Sequence, residues 1–439
     1  MGRSAFWGIL IIAVLGLTPV LLLFLYGPAS NNLLSYPEMT HKLGEIAALV
    51  GVTLFALTFV LSTRLRIIEE AFGGLDKVYL IHGIIGSIAL VLLLSHPILL
   101  VLKFIPANFN LAATYLLPGT FWSVDFGIIA LLSLATLVGI TLYSRLKYQN
   151  WKFTHEFLGL VFIIAVLHIF LVRTDASRDY IFNGYYIFTT IVASIGIASF
   201  IYSFIIRNSA ARHKTYRVKD IQEIGDVHRI TFSPENSEND ALKYKSGQFV
   251  FLRFFNKKVG IEQHPFSIAS TSDDPELRVY VKKLGDYTNG LRHLKIGDKA
   301  SIEGPYGKFN YEYNESGLDQ IWIAGGIGIT PFIGMVQDLD KDMKNKVTLY
   351  YAVNAEKELL ELERFKSIEH NNKNFRIIPW IKDKGGFLNA DIIKEHSGNL
   401  HNKEFYICGP PGMKSSLTKG LTDSGVEKNM IIMEDFAFR

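Results

Sequence analysis

The sequence predicts a two-part protein: a membrane bundle of six helices, followed by a water-soluble module with a small antiparallel β-barrel and an α/β domain. The first observation is the uneven distribution of apolar residues over the 439 positions. Residues 1–206 are dominated by Leu, Ile, Val, Ala and Phe, whereas residues 207–439 carry most of the charge. The second is the change after Lys214 from long apolar runs to short strands separated by turns. The third is a glycine-rich turn that follows an apolar strand near residue 325, which is typical of a parallel α/β unit.

The net charge and the single cysteine exclude two classes of protein. A formal net charge of +4 is too small to indicate nucleic-acid binding, and the basic residues cluster beside the apolar runs, where they orient membrane helices. Cys408 is the only cysteine, so the chain has no disulfide framework. A reduced thiol fits a soluble half that lies in the cytoplasm.

Six segments are long and apolar enough to span a lipid bilayer. They cover residues 5–26, 43–63, 78–102, 124–144, 153–172 and 180–206. The first follows Arg3 as a signal peptide would, but it is long enough to span and lacks a small-residue cleavage site, so we expect it to be retained. Lys and Arg concentrate in alternate connections, and the positive-inside rule places those connections in the cytoplasm. The N-terminus and the soluble half are therefore predicted on the cytoplasmic side of the plasma membrane.

Four histidines lie inside two of these segments, His82 and His96 in the third, His155 and His168 in the fifth. Their spacing separates the two members of each pair by roughly 20 Å along the helix, most of the ~30 Å hydrocarbon core. A lone intramembrane histidine often only bonds a neighbouring carbonyl, but matched pairs in two helices favour metal ligands. With the predicted topology, His82 pairs with His155 near the inner face and His96 with His168 near the outer face. This arrangement predicts two bis-histidine b-type haems.

The two histidine spacings are not equivalent on a regular helix. At about 100° per residue, the step from His82 to His96 returns to within about 40° of the same phase, whereas the step from His155 to His168 does not. Either a local irregularity or a different approach angle of the rings must absorb the difference. His41, at the mouth of the second segment, has no matching partner and is expected to be an interfacial residue.

The longest outer connection covers residues 103–123 and is rich in aromatic residues. Such residues favour the membrane–water interface, so we expect an aromatic belt. The alternative is a lid over the outer haem, which would control what reaches the last electron carrier.

The soluble half begins with short strands that predict a small antiparallel barrel, at residues 216–221, 227–232, 248–254, 277–281 and 299–303. His264, Pro265, Phe266 and Ser267 place an aromatic-flanked hydroxyl in a strand, which suits a flat ring with hydrogen-bonding edges. Lys282, Gly285, Asp286 and Thr288 lead into a helix whose N-terminus suits a pyrophosphate. A turn at 304–307 is expected to close the barrel.

The last part of the chain has the pattern of an open parallel sheet. A strand at 321–324 leads into a turn formed by Gly325, Gly326, Gly328, Thr330 and Pro331. Glycines there let backbone amides approach a diphosphate, and Pro331 at a helix start costs no hydrogen bond. Further strands are expected at 346–353, 375–380 and 404–408. Cys408, followed by Gly409 and Pro410, is either a small buried residue or a contact for a nicotinamide. Phe436 either packs near the terminus or stacks on an isoalloxazine ring.

The order of these motifs resembles the ferredoxin-NADP reductase family, in which an FAD-binding barrel precedes a pyridine-nucleotide domain. The resemblance is carried by HPFS, VKKLGDYT, GGIGITP, CGPPGM and the near-terminal aromatic. The membrane half resembles the ferric reductase transmembrane domain with its two haems. Together the two halves resemble the NADPH oxidase and ferric reductase superfamily, including bacterial NADPH oxidase homologues. The corresponding domains are a haem domain at 1–206, a linker at 207–214, an FAD domain at 215–318 and an NAD(P)H domain at 319–439.

The resemblance implies a role for each motif. Residues 264–267 would bind the flavin, and Lys282, Gly285, Asp286 and Thr288 the FAD phosphates. Gly325, Gly326, Gly328, Thr330 and Pro331 would line the nucleotide diphosphate, with Cys408, Gly409 and Pro410 near the nicotinamide and Phe436 over the flavin. Electrons would pass from NADPH or NADH through FAD and two b-type haems to an acceptor outside the cell.

Three functions share these residues: an NAD(P)H oxidase that gives superoxide from dioxygen, a transmembrane ferric-chelate reductase, and a module that passes electrons to a partner protein. The outer loops carry no cluster of metal ligands and the chain is compact, which favours the oxidase. A soluble flavin reductase on a structural membrane anchor is the remaining alternative. No calcium-binding helix-loop-helix or proline-rich tail is seen, so no obligatory regulatory subunit is expected.

Residues 354–357, after the strand at 346–353, bear on the choice between NADPH and NADH. Members of the family that select NADPH usually carry Arg, or Ser and Arg, at this place for the 2′-phosphate. Here the residues are Asn354, Ala355, Glu356 and Lys357. Lys357 offers one positive charge, but Glu356 would repel a phosphate. We therefore expect weak discrimination between the two nucleotides.

Overall fold

The fold was analysed in a computed structural model. It describes residues 3–26, 35–105, 107–119, 121–144, 146–172, 184–207, 213–260, 262–311, 317–339 and 345–434. The chain forms two compact units, Arg3–Ser209 and Ala210–Arg439. Among the described residues, the first unit has helices and no strand, and both β-sheets belong to the second.

The described part of the first unit contains six helices long and apolar enough to cross a membrane. Helices α1 to α6 are Arg3–Tyr26, Tyr36–Leu61, Arg66–Phe72, Leu75–Leu102, Phe109–Thr114 and Trp122–Tyr143. Helices α7 to α9 are Tyr148–Glu156, Leu158–Leu171 and Gly184–Ile201, and a π-helical turn, Tyr202–Ile206, extends α9. The six predicted spans are confirmed. Helix α2 begins seven residues before the predicted boundary because the Glu38 carboxylate accepts hydrogen bonds from the backbone N–H (2.9 Å) and the hydroxyl (2.8 Å) of Ser35.

The fifth predicted span is not one continuous helix. It consists of α7 and α8, which are interrupted at Phe157, two residues after His155. There the backbone makes tighter three-residue hydrogen bonds, from Phe157 N to Thr154 O (3.3 Å) and from Leu160 N to Phe157 O (3.0 Å). A local irregularity therefore lies between His155 and His168, which corresponds to one of the two explanations considered for their unequal phase.

Helix α2 is the central helix of the bundle and packs against α1, α4 and α9. Its core is aromatic: the ring centroid of Phe162 lies 5.2 Å from both Phe55 and Phe59. Glycines let the neighbouring helices approach, since a Cβ on Gly196 would lie 2.7 Å from the Phe162 ring. By contrast, α4 and α6 bury few of their residues and expose apolar side chains, as expected for lipid-facing helices.

The first sheet of the second unit is antiparallel and has the strand order β4-β3-β6-β1-β2-β5. Strands β1 to β6 are Lys214–Ile224, Val227–Pro234, Phe249–Phe254, His264–Ser267, Leu277–Lys282 and Lys299–Tyr306. The predicted barrel is thus a curled six-stranded sheet, a half-barrel whose edge strands are β4 and β5. The edges approach beyond the end of β4, where Ala269 N donates to Arg278 O (2.8 Å).

The second sheet is parallel and has the strand order β11-β10-β7-β8-β9. Strands β7 to β11 are Asp319–Gly325, Val347–Val353, Phe375–Ile381, Lys403–Cys408 and Ile431–Met433. The four predicted strands are present, and β11 is an addition that the sequence pattern did not predict. It pairs with β10 over three residues, Ile431 to Met433, which is too short a run to show a period.

Helices α10 to α15 of the second unit are Asp286–Gly290, Thr330–Gln337, Leu362–Asn371, Lys382–Gly385, Ala390–Ser397 and Pro411–Asp423. Side chains join the two sheets into one unit. Tyr280 on β5 donates to the Glu361 carboxylate (2.7 Å), and Asp338, after α11, accepts from the Ser246 hydroxyl and from Ser272 N. Helix α11 also packs closely on the first sheet, because a Cβ on Gly334 would lie 2.9 Å from Ser270 O.

Candidate functional site

The two histidines predicted near the inner face are brought together. The rings of His82 on α4 and His155 on α7 have centroids 6.1 Å apart and planes inclined at 57°. A metal bound between two imidazoles, with metal–nitrogen bonds of about 2 Å, needs ring centres roughly 6 Å apart. The observed separation therefore fits a bis-histidine iron.

The second ring nitrogen of each histidine is already hydrogen-bonded. Nδ1 of His82 lies 3.0 Å from Thr58 O, Nδ1 of His96 lies 2.8 Å from Gly44 O, and Nδ1 of His168 lies 2.6 Å from Ser123 O. A carbonyl oxygen only accepts hydrogen bonds, so Nδ1 carries the proton in these three rings. The lone pair of the neutral imidazole is then on Nε2, which is the form a metal requires.

His155 reaches the same tautomer through a side chain. Its Nδ1 lies 3.3 Å from the Thr141 hydroxyl oxygen, and that hydroxyl donates its own proton to Leu137 O (2.8 Å). Nδ1 of His155 must therefore be the donor, which again leaves Nε2 with the lone pair. All four histidines predicted as ligands share this arrangement.

The outer pair is held by close contacts between helices. A Cβ on Gly127 of α6 would lie 2.7 Å from the His168 ring, so a glycine is needed for this ring to pack against α6. A Cβ on Gly44 would similarly lie 3.0 Å from the Leu100 side chain, so a glycine lets α2 and α4 approach where the Gly44 carbonyl meets His96.

An aromatic stack leads from the inner pair toward the start of α7. The Trp151 ring lies parallel to the His155 ring at 5.4 Å, with an interplanar angle of 13°. Tyr148 stacks on Trp151 in turn, at 5.7 Å and 28°. The stack fixes the ring orientation of His155 in addition to the bond with Thr141.

The outer connection is packed onto α2. The Lys103 ammonium lies 4.8 Å from the centroid of Phe104 and 5.3 Å from that of Tyr115. It also lies 3.5 Å from Nδ1 of His41, whose Nε2 is 3.6 Å from the Glu45 carboxylate. His41 therefore takes part in a polar cluster at the end of the helix that anchors His96.

The HPFS stretch forms the edge strand β4, opposite β3. Ser267 pairs with Phe249 and is buried, whereas His264, Pro265 and Phe266 are only half-buried. Phe249, Phe251 and Tyr306 form an aromatic cluster beside this strand, with ring centroids 5.8–6.0 Å apart. A flat ring placed on β4 would thus find a hydroxyl and an aromatic wall.

The stretch that follows β5 sits next to β4. The Tyr287 ring lies on the His264 ring with centroids 3.8 Å apart. Burial, and then the Glu262 carboxylate, raise the pKa of Tyr287 above its usual range. Among the described residues its buried hydroxyl has no hydrogen-bond partner. Such a buried group points to a polar ligand in this region, which fits an FAD chain.

The predicted phosphate-binding residues of this stretch have partners within the protein. Leu284 N and Gly285 N donate to the Thr288 hydroxyl oxygen (2.9 and 3.0 Å), and Lys282 lies 3.3 Å from the Asp226 carboxylate. Helix α10 has only five residues. The exposed positions of Gly285 and Asp286 leave this turn open to solvent.

Two glycine-containing turns meet at the carboxyl edge of the parallel sheet. Strands β7 and β10 are neighbours, and Ala324 pairs with Cys408. A Cβ on Gly325 would lie 2.9 Å from Pro410, and one on Gly409 would lie 3.1 Å from the Gly325 Cα. A Cβ on Gly328 would clash with the carbonyl of Cys408. These glycines are therefore required for the two turns to touch.

Gly326 has a different role from its neighbours. Its φ is +55° and a Cβ there would meet nothing within 4 Å. It thus supplies a left-handed turn that faces open space, where a diphosphate can approach the backbone. Thr330 and Pro331 begin α11 and are buried, and Cys408 is only 4% exposed.

The end of the described chain lies beside the first sheet. Glu434 is buried, and a Cβ on Gly307 would lie 2.9 Å from its carboxylate. Buried Lys414 donates to Glu434 O (3.1 Å). Phe436 lies outside the described residues, but the chain that leads to it passes Gly307 and the neighbouring Phe249, which pairs with Ser267.

Sequence reasoning missed several of these residues. Thr141 acts on His155 through a contact between helices that no motif announces. Trp151 lies four residues before His155 on α7, a spacing that places the two rings side by side on one helix and could have been read from the sequence. Tyr287 lies within the GDYT stretch, but its stacking on His264 was not foreseen. Lys384 was also missed: its ammonium forms an ion pair with Glu356 (2.7 Å), which lowers the pKa of that carboxyl group.

Comparison with family models matches three parts of the chain. Residues 47–166 match the ferric reductase like transmembrane component, residues 213–310 an FAD-binding domain, and residues 322–419 the oxidoreductase NAD-binding domain. The chain is therefore an oxidoreductase with FAD- and NAD-binding domains and a membrane-spanning component.

Curated relatives match part of the chain. One component of the Na(+)-translocating NADH-quinone reductase of Neisseria meningitidis is 29% identical over 228 residues, which cover 46% of this chain and 55% of that protein. The corresponding component from Klebsiella pneumoniae is 31% identical over 160 residues, which cover 33% of this chain and 38% of that protein. The chain thus spans about half, or less, of the length of these relatives.

Solved structures resemble the chain at low identity. A flavohemoglobin from Malassezia yamatoensis with bound FAD and heme is 16% identical, with a TM-score of 0.50, covering 91% of this chain and 97% of that one. The Amycolatopsis cytochrome P450 reductase GcoB is 26% identical, with a TM-score of 0.46, covering 51% and 70%. The likeness to the flavohemoglobin concerns the fold alone.

Proposed function

We propose, from the premise that the chain has the domain architecture of the NADPH oxidase and ferric reductase superfamily, that it oxidises cytoplasmic NAD(P)H and passes the electrons through the plasma membrane to dioxygen. One NAD(P)H would reduce two dioxygen molecules to two superoxide ions and release one proton on the cytoplasmic side. The observation that carries the proposal is the separation of 6.1 Å between the rings of His82 and His155, both with Nε2 available.

The cofactors implied are FAD and two b-type haems, which when bound accept two electrons from a nicotinamide and transfer them one at a time. His82 with His155, and His96 with His168, would hold the haem irons. The half-buried strand at 264–267 would hold the flavin ring, and Lys282 with the Gly285–Thr288 turn the FAD phosphates.

The nucleotide would bind at the carboxyl edge of the parallel sheet. Gly326 would receive the diphosphate on its open side, and Gly325, Gly328 and Gly409 would keep the two turns in contact behind it. Cys408 and Pro410 would face the nicotinamide. The terminal segment after Glu434 would carry Phe436 over the flavin, so that the nicotinamide has to displace this ring. Changing Phe436 to Ser should then alter nicotinamide affinity, and unchanged kinetics would remove Phe436 from the site.

The outer end of the membrane unit supports a small acceptor. The contacts of Lys103 with Phe104, Tyr115 and His41 hold the outer connection against α2, next to the residues that anchor His96. A connection packed in this way leaves less room for a bulky ferric chelate than for dioxygen. A lid over the outer haem is thus favoured over a simple aromatic belt, although exposed Phe109 and Trp122 suit the interface as well.

Two other functions remain distinct proposals. The family model for the membrane part carries the name of a ferric reductase, which supports a transmembrane ferric-chelate reductase with the same residues. The relatives named as components of an NADH-quinone reductase support a module that transfers electrons from NADH to a partner. Co-purification of a stable partner would favour this last function.

The test uses the purified full chain with added FAD and NADPH or NADH. Oxygen consumption and cytochrome c reduction would be followed with and without superoxide dismutase, and then ferric-chelate reduction without oxygen. We expect superoxide dismutase to inhibit the reduction of cytochrome c. This dismutase-sensitive reduction should disappear in His96→Ala and persist in His41→Ala. Rapid anaerobic chelate reduction with little superoxide in air would instead establish a ferric reductase, and absence of b-type haem absorbance would establish a soluble-type flavin reductase on an anchor.

A further inference from the structure

One end of the curled sheet is formed by two loops that are tied together, residues 255–260 and 291–299. The Asn256 side chain donates to Asp298 (2.8 Å) and to His293 O (3.3 Å), and Phe255 N donates to Lys299 O (3.1 Å). Lys295 N also donates to the Asp298 carboxylate (3.0 Å). The two loops therefore form one fixed surface.

Two large apolar side chains project from this surface. Phe255 is 59% exposed and Ile296 is 70% exposed, whereas the adjacent Phe254 is buried in the core. Side chains alternate across the sheet, so Phe255 follows Phe254 on the opposite face. Neither exposed residue contributes to the core, and both project from the two loops that are tied together.

Basic residues surround the two apolar side chains. Lys257, Lys258, Arg292 and Lys295 are all exposed. The only acidic residue in these two loops is Asp298. Its carboxylate accepts hydrogen bonds from the Asn256 side chain and from Lys295 N. Within the described parts of the chain, none of the four cations forms an ion pair with a carboxylate. We call this set, with Phe255 and Ile296, the basic-apolar surface.

This combination matches the chemistry of an anionic lipid surface. Apolar and aromatic side chains enter the boundary between headgroups and acyl chains, and Lys and Arg around them attract anionic headgroups. An acidic protein partner would also satisfy the cations, but the connection to the membrane helices favours lipid. The candidate membrane spans belong to the same chain, so the soluble unit is covalently attached to segments that lie in a bilayer.

The covalent connection supports this choice. The last membrane helix ends at Ile206, and β1 begins eight residues later at Lys214, a span of at most about 29 Å. Strand β1 then reaches the basic-apolar surface within four residues, since Val218 O accepts from Gly297 N (2.8 Å). Four residues of strand add about 14 Å. The length of the chain alone therefore permits this surface to reach the bilayer.

We propose that the basic-apolar surface binds the anionic headgroups of the membrane that the chain spans, with Phe255 and Ile296 inserted between them. The inference concerns lipid binding by the soluble unit and holds whichever electron acceptor is used. It adds a lipid class as a ligand to the cofactors and the nucleotide proposed above.

The experiment places a spin label on the surface of the full chain in lipid nanodiscs. Ile296→Cys is labelled, and Phe387→Cys, a site 75% exposed in the nucleotide domain, is the matched control. Cys408 is only 4% exposed, and the unsubstituted chain gives its labelling background. Accessibility to dioxygen and to a water-soluble nickel chelate is measured in phosphatidylcholine nanodiscs with and without one-third phosphatidylglycerol.

In the anionic nanodiscs we expect the label at 296 to be more accessible to dioxygen than to nickel, and the label at 387 to show no such preference. The ratio of dioxygen accessibility to nickel accessibility at 296 should fall at least severalfold in phosphatidylcholine alone and at high salt. It should fall likewise when Lys257→Glu and Lys258→Glu are both added to the labelled chain. Equal nickel accessibility at 296 and 387 in anionic nanodiscs would overturn the proposal. So would protection at 296 that is independent of lipid charge, which would indicate a protein contact. Unchanged FAD content shows that each variant is folded.

Discussion

The membrane unit and the soluble unit build their candidate sites by different means. In the membrane unit, imidazole side chains reach from one helix to the backbone of another, as Nδ1 of His96 reaches Gly44 O (2.8 Å). In the soluble unit, two turns at strand ends meet backbone to backbone, as Gly328 meets Cys408. The membrane site depends on the imidazole side chains that are present, whereas the nucleotide site depends on glycines, which have no side chain.

The difference follows from the surroundings of the two units. In lipid, backbone groups must be satisfied inside helices, so the chemistry is left to side chains and to a few carbonyls that accept a second hydrogen bond. In water, turns are tolerated, and their amides and left-handed glycines are free to receive a phosphate. Removing a side chain should therefore disable the membrane site, and adding one methyl group should disable the nucleotide site.

The largest expected effect is the loss of an imidazole. His82→Ala and His168→Ala should each lower the haem-to-flavin ratio from two to one and reduce acceptor reduction by more than about 100-fold. The ratio is measured by haem extraction and flavin fluorescence. His41→Ala, a histidine with polar partners but no proposed ligand role, should keep both haems. An unchanged ratio in either ligand variant would contradict the assignment.

The converse change adds a methyl group to the soluble unit. Gly328→Ala should place a Cβ against the carbonyl of Cys408 and destabilise the unit by about 2 kcal/mol or more, with a higher KM for NAD(P)H. Gly412→Ala is the control, because a Cβ there meets nothing within 4 Å. Thermal unfolding and steady-state kinetics measure both variants. Equal behaviour of the two would show that the turns do not need this contact.

A third change tests whether the membrane unit also depends on a missing side chain. Gly127→Ala should press a Cβ on the His168 ring, 2.7 Å away before any shift, and alter the spectrum and midpoint potential of one haem only. Gly139→Ala, on the same helix but with nothing within 4 Å, should leave both haems as they are. Potentiometric titration decides between them, and two unchanged haems in Gly127→Ala would refute the close packing.

A smaller effect is expected from the partner of an imidazole. Thr141→Val removes the oxygen that accepts the hydrogen bond from His155 Nδ1, and should weaken haem retention at the inner pair by about 10-fold to 100-fold. Thr141→Ser keeps the hydroxyl and should behave as the unsubstituted chain. Haem retention under dilution in detergent gives the comparison. If Thr141→Ser loses haem as readily as Thr141→Val, the packing of this side chain, and not its hydrogen bond, would account for haem retention.

The smallest effect concerns exposed charges beside the nucleotide site. Glu356 and Lys384 form an exposed ion pair after β8, so the carboxylate suits a ribose hydroxyl and the ammonium suits a 2′-phosphate. We expect comparable kcat/KM for NADH and NADPH, with Lys384→Gln shifting the ratio toward NADH and Glu356→Gln toward NADPH by only a few-fold. A kcat/KM of the unsubstituted chain that is a hundredfold higher for NADPH than for NADH would contradict this prediction.

The sequence by itself determined the six apolar spans, the parallel strands and the four intramembrane histidines. These features rest on local composition and period, since a helix that crosses lipid or a strand buried on both faces must be apolar along its length. The missed features of this kind include short ones: β11 has three residues, and helices α3 and α5 have seven and six. Segments that short carry no readable period.

Only the tertiary structure decided how these residues are used. The interruption at Phe157, and the carbonyl or hydroxyl oxygen that fixes each imidazole tautomer, depend on contacts between chain segments or on small backbone shifts. The ion pair between Glu356 and Lys384 joins residues from two different strand ends. A sequence pattern shows which residues share a face of one element, but not which carbonyl or ammonium another element brings beside them. The physical reason is that such contacts are set by packing between elements.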